Sequence, residues 1–358
     1  SEMGKEESRS RKIGQLRSIV SMNEDAKNEL NYVLKVVELS TELILEDLDD
    51  SISLDHHSQL WTALKWSIDR AKGSTKDKIS TTNTASSVAS AFSSLMNLLH
   101  LLDSEYDLPS GKAPSPFIST PSHSLNKRKA SEEGKTTILS YLAVRVGDIF
   151  RYKKDIAASA QWYRYAINVD PSNGEGWNQI GILSAQLGSP LDAVYSYYRA
   201  TFTTNPSTIA SSNILTVLDA HLDQEPDEET DDDSFVLHTL ALIHYLRPLS
   251  SSFLSYLPSL LSSPRRLLPF VAAFSSLDHH STTSSSLIHL FQNGFNHFKN
   301  EIDDMDSFDS STLATLNLYN RVISTESISS LLENRSREET DLFQMDHFIC
   351  SPLSFSSQ

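Results

Sequence analysis

Apolar positions recur along this chain at three- and four-residue intervals rather than in alternation, and that spacing predicts helices almost throughout. An opening helical pair falls within about 11–47, with Ile13, Leu16, Ile19 and Val20 on one stripe and Leu30, Val33, Leu34, Val37 and Leu39 on the next. A third helix covers Asp50–Lys72, carrying Leu60, Trp61, Leu64, Ile68 and Ala71 along one side. Ser80–Leu102 supplies a fourth and ends in Leu95, Met96, Leu98, Leu99, Leu101 and Leu102. This cluster is apolar over more than one stripe, so it is either a helix buried centrally in its own domain or a surface for a partner. No convincing pair of strands is visible, and glycine is scarce at 11 residues.

The pattern breaks at 104–135, where prolines, serines and the basic run Lys127-Arg128-Lys129 predict a mobile insertion. A repeat follows. Gly147 and Gly181, Tyr163 and Tyr197, and Ala166 and Ala200 are each 34 residues apart. Trp177, Ile180, Gly181, Ala193, Tyr197 and Ala200 follow the tetratricopeptide (TPR) template, with Pro171 and Pro206 closing two units at 140–173 and 174–207. Small residues at 147, 166, 181 and 200 let paired helices approach, and the aromatics fill between them. Residues 222–234 hold eight acidic side chains and no basic one, which predicts a solvated loop. Four or five further helical segments follow from Phe235 to about Glu333, broken at Pro248, Pro258, Pro264 and Pro269.

These readings give an all-α chain. Residues 1–220 form the repeat-bearing domain, 221–234 an acidic linker, 235–345 a helical-hairpin domain and 346–358 a tail. At 358 residues there is ample length for such a core. The net charge of −16 disfavours direct nucleic-acid binding, which ordinarily needs a basic face. A single cysteine, Cys350, excludes an internal disulfide and a Cys-based zinc site and fits a reducing compartment. No run of 18 or more apolar residues occurs and no signal peptide is visible, so the expectation is a cytoplasmic protein that does not enter a membrane, with nuclear shuttling left open. The His pairs 56–57 and 279–280 lack metal-ligand spacing, and no nucleophile motif or phosphate-cradling glycine loop is present. The expectation is a non-enzyme with no metal and no cofactor.

Two basic islands interrupt the acidic balance. Residues 65–78 carry five basic side chains against two acidic, and 145–155 four against two. Lys65 and Lys72, seven apart, share one side of their helix at the edge of its apolar stripe. That position suits a cation lining a groove, and equally a lysine whose stem merely covers the core. Arg151 lies opposite the stripe Leu139–Leu142–Val146–Ile149, and so is expected on the exposed face; its plain alternative is a surface pair with Asp148. A guanidinium fork followed by the phenol of Tyr152 suits a phosphate dianion. The Asn178 amide, which donates and accepts, suits a bound peptide's main chain or the bridging of a neighbouring turn.

The stretches Leu60–Lys65, Gly147-Asp148-Ile149-Phe150-Arg151-Tyr152, Pro171–Ile180 and Leu191–Ala200 together resemble the SMG family of nonsense-mediated mRNA decay adaptors, which includes the telomerase-associated Est proteins. The resemblance covers about 60–215 and is nearest the fifth and seventh SMG members. Arg151-Tyr152 also resembles the Arg-Tyr pair of the 14-3-3 proteins. It implies a 14-3-3-like, TPR-like right-handed helical array followed by an α-helical hairpin solenoid. It further implies that Lys65, Lys72 and Arg151 clamp a phosphate, that Tyr152 donates to it, and that Asn178 holds the peptide backbone. Two positions depart from 14-3-3 proteins: Lys72 stands where they carry Arg, and Ala185 where they carry an acidic contact. The implied partners are the phosphorylated Upf RNA helicase and another SMG protein, paired as a heterodimer through the 14-3-3-like domains. The competing classes are a TPR scaffold indifferent to phosphate and an Est-like telomerase subunit that binds nucleic acid.

Overall fold

In the computed structural model, the described residues are 2–22, 31–73, 78–109, 127–223 and 230–244, with the isolated residues 114 and 269. The expected hairpins beyond 244, the tail 346–358, Cys350 and the His pair 279–280 lie outside them. Cα packing divides the chain into two compact units, Ser1–Ser172 and Asn173–Gln358. This boundary falls between the two repeats. The limits at 220 and 235 read from composition are a different division.

The first unit holds seven helices among its described residues: α1 Glu2–Val20, α2 Tyr32–Glu46, α3 Leu48–Ser53, α4 His56–Gly73, α5 Lys78–Glu105, α6 Glu132–Tyr152 and α7 Ile156–Val169. Helix α2 packs on α1 and α4, α5 lies against α4 and α6, and α6 pairs closely with α7. The α2 stripe differs from the expected one. Tyr32, Val36, Leu39, Leu43 and Ile44 are buried, while Leu34 is 64% exposed. The buried face packs with Leu16 and Ala63, and on it the Tyr32 ring sits edge-on to Trp66 at 5.3 Å. The expected Asp50–Lys72 helix is likewise two helices, broken where Asp55 takes a φ of 61°. The stripe Leu60, Trp61, Leu64, Ile68 and Ala71 is buried as its spacing predicts.

The ends of the expected mobile insertion at 104–135 are ordered. Tyr106 is buried and donates to the Leu45 carbonyl at 3.0 Å. Arg128 donates to the same carbonyl at 2.6 Å and to Glu105 at 2.9 Å. The basic residue thus satisfies carbonyls left open at the end of α2. Ser131 caps α6 through the Gly134 amide at 2.9 Å, and Asp49 accepts from both its amide and its hydroxyl. The leucines of α5 pack inward: Leu95, Leu98, Leu99 and Leu102 are buried, and Met96 and Leu101 partly so. Burial within the domain accounts for that cluster. The stretch Thr84–Glu105 is long and apolar enough, by composition, to cross a membrane, and here its apolar stripe packs on α4 and α6.

The second unit contributes α8 Glu175–Gln186, α9 Pro190–Thr201, α10 Ala210–Leu222 and α11 Asp232–His244. Here α8 pairs with α9, which also meets α10 and α11. The end of the acidic stretch 222–234 is helical rather than loop. Asp231 accepts from the Ser234 amide at 3.0 Å, and Asp232 and Asp233 open α11, where carboxylates favour the helix dipole.

The 34-residue period appears as a repeated contact. A Cβ on Gly147 would stand 2.5 Å from the Tyr163 ring, and one on Gly181 2.4 Å from the Tyr197 ring. The turns after α6 and α8 also match: Lys154 (φ 61°) and Gly188 (φ 73°) hold the same register position in the left-handed region. Among the described residues there is no strand, only isolated bridges.

Candidate functional site

The last turn of α6 presents Arg151 and Tyr152, and the second half of α4 presents Lys65 and Lys72. Both helices are fixed by their buried stripes, and these four side chains meet on the unit's surface. The centre is the Tyr152 ring. The Lys72 ammonium lies 4.1 Å from its centroid and the Arg151 guanidinium 5.5 Å. Such cation–π contacts hold each cation against one face without spending its hydrogen-bond donors. Lys65 is coupled electrostatically to Tyr152 and Asp148. Lys65 and Lys72 remain 49% and 45% exposed, open to a ligand.

Arg151 departs from its expected place. Its side chain is only 21% exposed, because it folds back over Asp148 and Tyr163. Its Nε donates to the Tyr163 hydroxyl at 3.2 Å, and its NH2 nitrogen donates to Asp148 Oδ1 at 3.2 Å. Tyr163 donates to the same oxygen at 2.7 Å, and Arg145 reaches Asp148 Oδ2 at 2.8 Å. Asp148 is therefore no surface partner but a buried carboxylate, 3% exposed, held by two guanidiniums and a phenol. Arg145 itself lies over the rings of Tyr141 and Trp61, at 4.7 and 5.4 Å. The sequence offered only the Arg151–Asp148 spacing, as a surface pair; Arg145 was not part of it. What hid their burial is α7, which covers that face with Tyr163.

The protonation states suit an anion. Burial works against the Arg151 charge, but Tyr163 and Asp148 more than offset it and push its proton affinity up. The Lys65 ammonium is held raised chiefly by its hydrogen bond to Asp69. Burial, then the nearby Asp148 carboxylate, pushes the Tyr152 phenol up, so it stays a donor at neutral pH. Burial and Asp148 push Tyr163 up strongly as well. Asp69 is the residue that the sequence reading passed over. It meets Lys65 at 2.5 Å and Lys72 at 3.9 Å.

Asn178 lies in the second unit, on α8, and is fully buried. Its Oδ1 accepts from the Asn213 amide at 2.9 Å, while its Nδ2 is buried without a hydrogen-bond partner. Both N–H donors of that amide are therefore unspent, and the residue's complete burial keeps them away from solvent. The bridge to Asn213 also realises the plain alternative, a link to a neighbouring helix. Among the described residues, no group of three or more metal-ligating side chains converges.

A helical array carrying a cationic, aromatic-centred surface site is the class that the fold defines. Residues 159–345, a little over half of the chain, match the Est1 DNA/RNA binding domain family. The chain belongs to this SMG/Est family. It is 31% identical over 93 residues to the zebrafish (Danio rerio) nonsense-mediated mRNA decay factor SMG7, a match covering 26% of this chain and 8% of that protein. It is 33% identical over 79 residues to the zebrafish telomerase-binding protein EST1A, covering 20% of this chain and 5% of that protein. The matched stretches thus span less than a tenth of either relative's length. Among solved structures, the C. elegans SMG5–SMG7 complex superposes with a TM-score of 0.69 at 17% identity, covering 95% of this chain and 88% of that one. That likeness shows the fold.

Proposed function

We propose that this chain is a non-enzymatic adaptor of nonsense-mediated mRNA decay that reads phosphoserine or phosphothreonine. Its ligand would be the phosphorylated Upf RNA helicase, and a second SMG-family protein would pair with it to recruit decay or phosphatase factors. One observation carries the reading: Lys72 and Arg151 lie against the Tyr152 ring on one surface of the first unit, with Lys65 near enough to interact electrostatically with the same phenol. A phosphate ester brings about −1.5 to −2 charges and three acceptor oxygens, which matches that donor set. Arg151 is pre-oriented by Asp148 and Tyr163, so less side-chain freedom is lost on binding. Asn178, fully buried in the second unit and bridged to Asn213, is not part of this cluster. The family relationship supports the pathway, and the cytoplasm is the compartment this reading places it in.

The test is a fluorescence-anisotropy titration with matched helicase peptides, phosphorylated and not. The expected result is tight binding of the phosphorylated form alone. Equal binding of both would return the chain to a phosphate-indifferent TPR scaffold.

A further inference from the structure

Around the candidate phosphate site, two carboxylates lie close to the cations, and they play different parts. Asp148 is enclosed, with both oxygens committed to Arg145, Arg151 and Tyr163. Asp69 is exposed, and its two oxygens point to two different ammonium groups: Oδ2 to Lys65 at 2.5 Å and Oδ1 to Lys72 at 3.9 Å. It sits one turn from each lysine along α4, so the helix itself imposes the arrangement. A carboxylate straddling two lysines is arranged as a phosphate oxygen pair would be.

We propose that Asp69 is a built-in counterion of the anion site, which occupies the lysines when no ligand is present and must be displaced by an incoming phosphate. This inference rests on the phosphate-reading function proposed above and adds its regulation. Three consequences follow from charge. The resident carboxylate neutralises part of the cationic field, so small inorganic anions and stray carboxylates gain little by binding. A phosphate dianion exceeds the charge of one carboxylate and adds Arg151 and Tyr152 as donors, so it can win the exchange. The exchange also weakens the complex, which suits an adaptor that must release its client. Because the Lys65–Asp69 pair is surface-exposed and worth little in itself, its loss leaves the fold intact.

The experiment compares the wild type, Asp69→Asn and Glu133→Gln in anisotropy titrations, using two peptides of one sequence with and without phosphoserine. Glu133 is an exposed acid in the first turn of α6, about 27 Å along that helix from Arg151 at 1.5 Å per residue, so it controls for net charge alone. Asp69→Asn is expected to bind the phosphopeptide about five-fold more tightly at low ionic strength, a gain that shrinks as salt screens it. Glu133→Gln is expected to match the wild type. An Asp69→Asn affinity equal to or below the wild-type value overturns the inference while leaving the phosphate reading in place. An equal gain in both variants also overturns it, by assigning the effect to net charge. If no variant distinguishes the two peptides, the phosphate-reading function itself falls, and the counterion role with it.

Discussion

Arg151 changes the choice of variant. From the sequence it is an exposed arginine whose charge could be reversed at no cost to the fold. In the structure it closes a buried pair with Asp148 and Tyr163. Arg151→Glu therefore sets a second carboxylate beside Asp148 and strips a charge-assisted bond, and we expect a loss of at least about 2 kcal/mol in stability. Thermal or urea unfolding measures it; an unchanged midpoint would show that Asp148 does not depend on Arg151. Lys65, half-exposed, should tolerate replacement within about 0.5 kcal/mol. A second residue-scale expectation concerns His56 and His57. Burial lowers both imidazoles below their ordinary range, with the Gln59 bond and the Asp55 charge respectively opposing it. The unfolded chain takes up a proton at each below about pH 6.5, which the folded unit accepts only at lower pH, so stability is full above that value and declines as pH falls. The melting temperature should drop between pH 7.5 and 5.5, and His57→Phe, which keeps a ring against Tyr141, should flatten the slope. A slope unchanged by the substitution would free His57 of that role. The residues of the cationic cluster were named by the family resemblance; the apolar stripes of α4 and α6 set Lys65 and Lys72 at a helix edge and left a plain core-flanking role equally open. Asp69 and the enclosure of Asp148 were not legible, since they depend on which neighbour covers which face.

At the scale of elements, the repeat was the most legible feature. Gly147/Tyr163 and Gly181/Tyr197 recur at one spacing, and in each hairpin the glycine lies directly under the tyrosine ring. An alanine in a helix would ordinarily stabilise it by about 1 kcal/mol over glycine. Here the added methyl would overlap a rigid ring, so Gly147→Ala and Gly181→Ala should each cost about 1–3 kcal/mol net. Calorimetry on the two variants checks this, and a gain in melting temperature would mean that the helices part at no cost. The α2 register was not legible. Leu34 and Val36 are equally apolar, and the face that is buried is the one packing Tyr32, Val36, Leu39 and Leu43 with Leu16 of α1 and Ala63 of α4. The ends of 104–135 escaped composition for a similar reason. Tyr106 and Arg128 find partners near Leu45, about sixty and eighty residues earlier in the chain, as local sequence cannot show.

The whole molecule carries a net charge of −16, and its cationic cluster is a local exception. Nucleic-acid binding, the activity in the family's description, depends on many phosphate contacts and falls steeply with salt. We expect no measurable binding of single-stranded RNA or DNA oligonucleotides at physiological ionic strength; anisotropy showing tight, steeply salt-dependent binding would favour an Est-like role. The phosphopeptide reading proposed here calls on one phosphate and four side chains, Lys65, Lys72, Arg151 and Tyr152, all of which lie in the first unit. The most direct measurement is therefore the affinity of one labelled phosphoserine peptide for the wild type and for Lys65→Glu, with melting curves run alongside. Losing a charge-assisted contact and adding repulsion should weaken binding by roughly a hundredfold at an unchanged melting temperature, since bonds to charged groups are worth about 1.5–3 kcal/mol each. Equal affinities for the two proteins would contradict the account, because the phosphate would then be held somewhere other than this cluster.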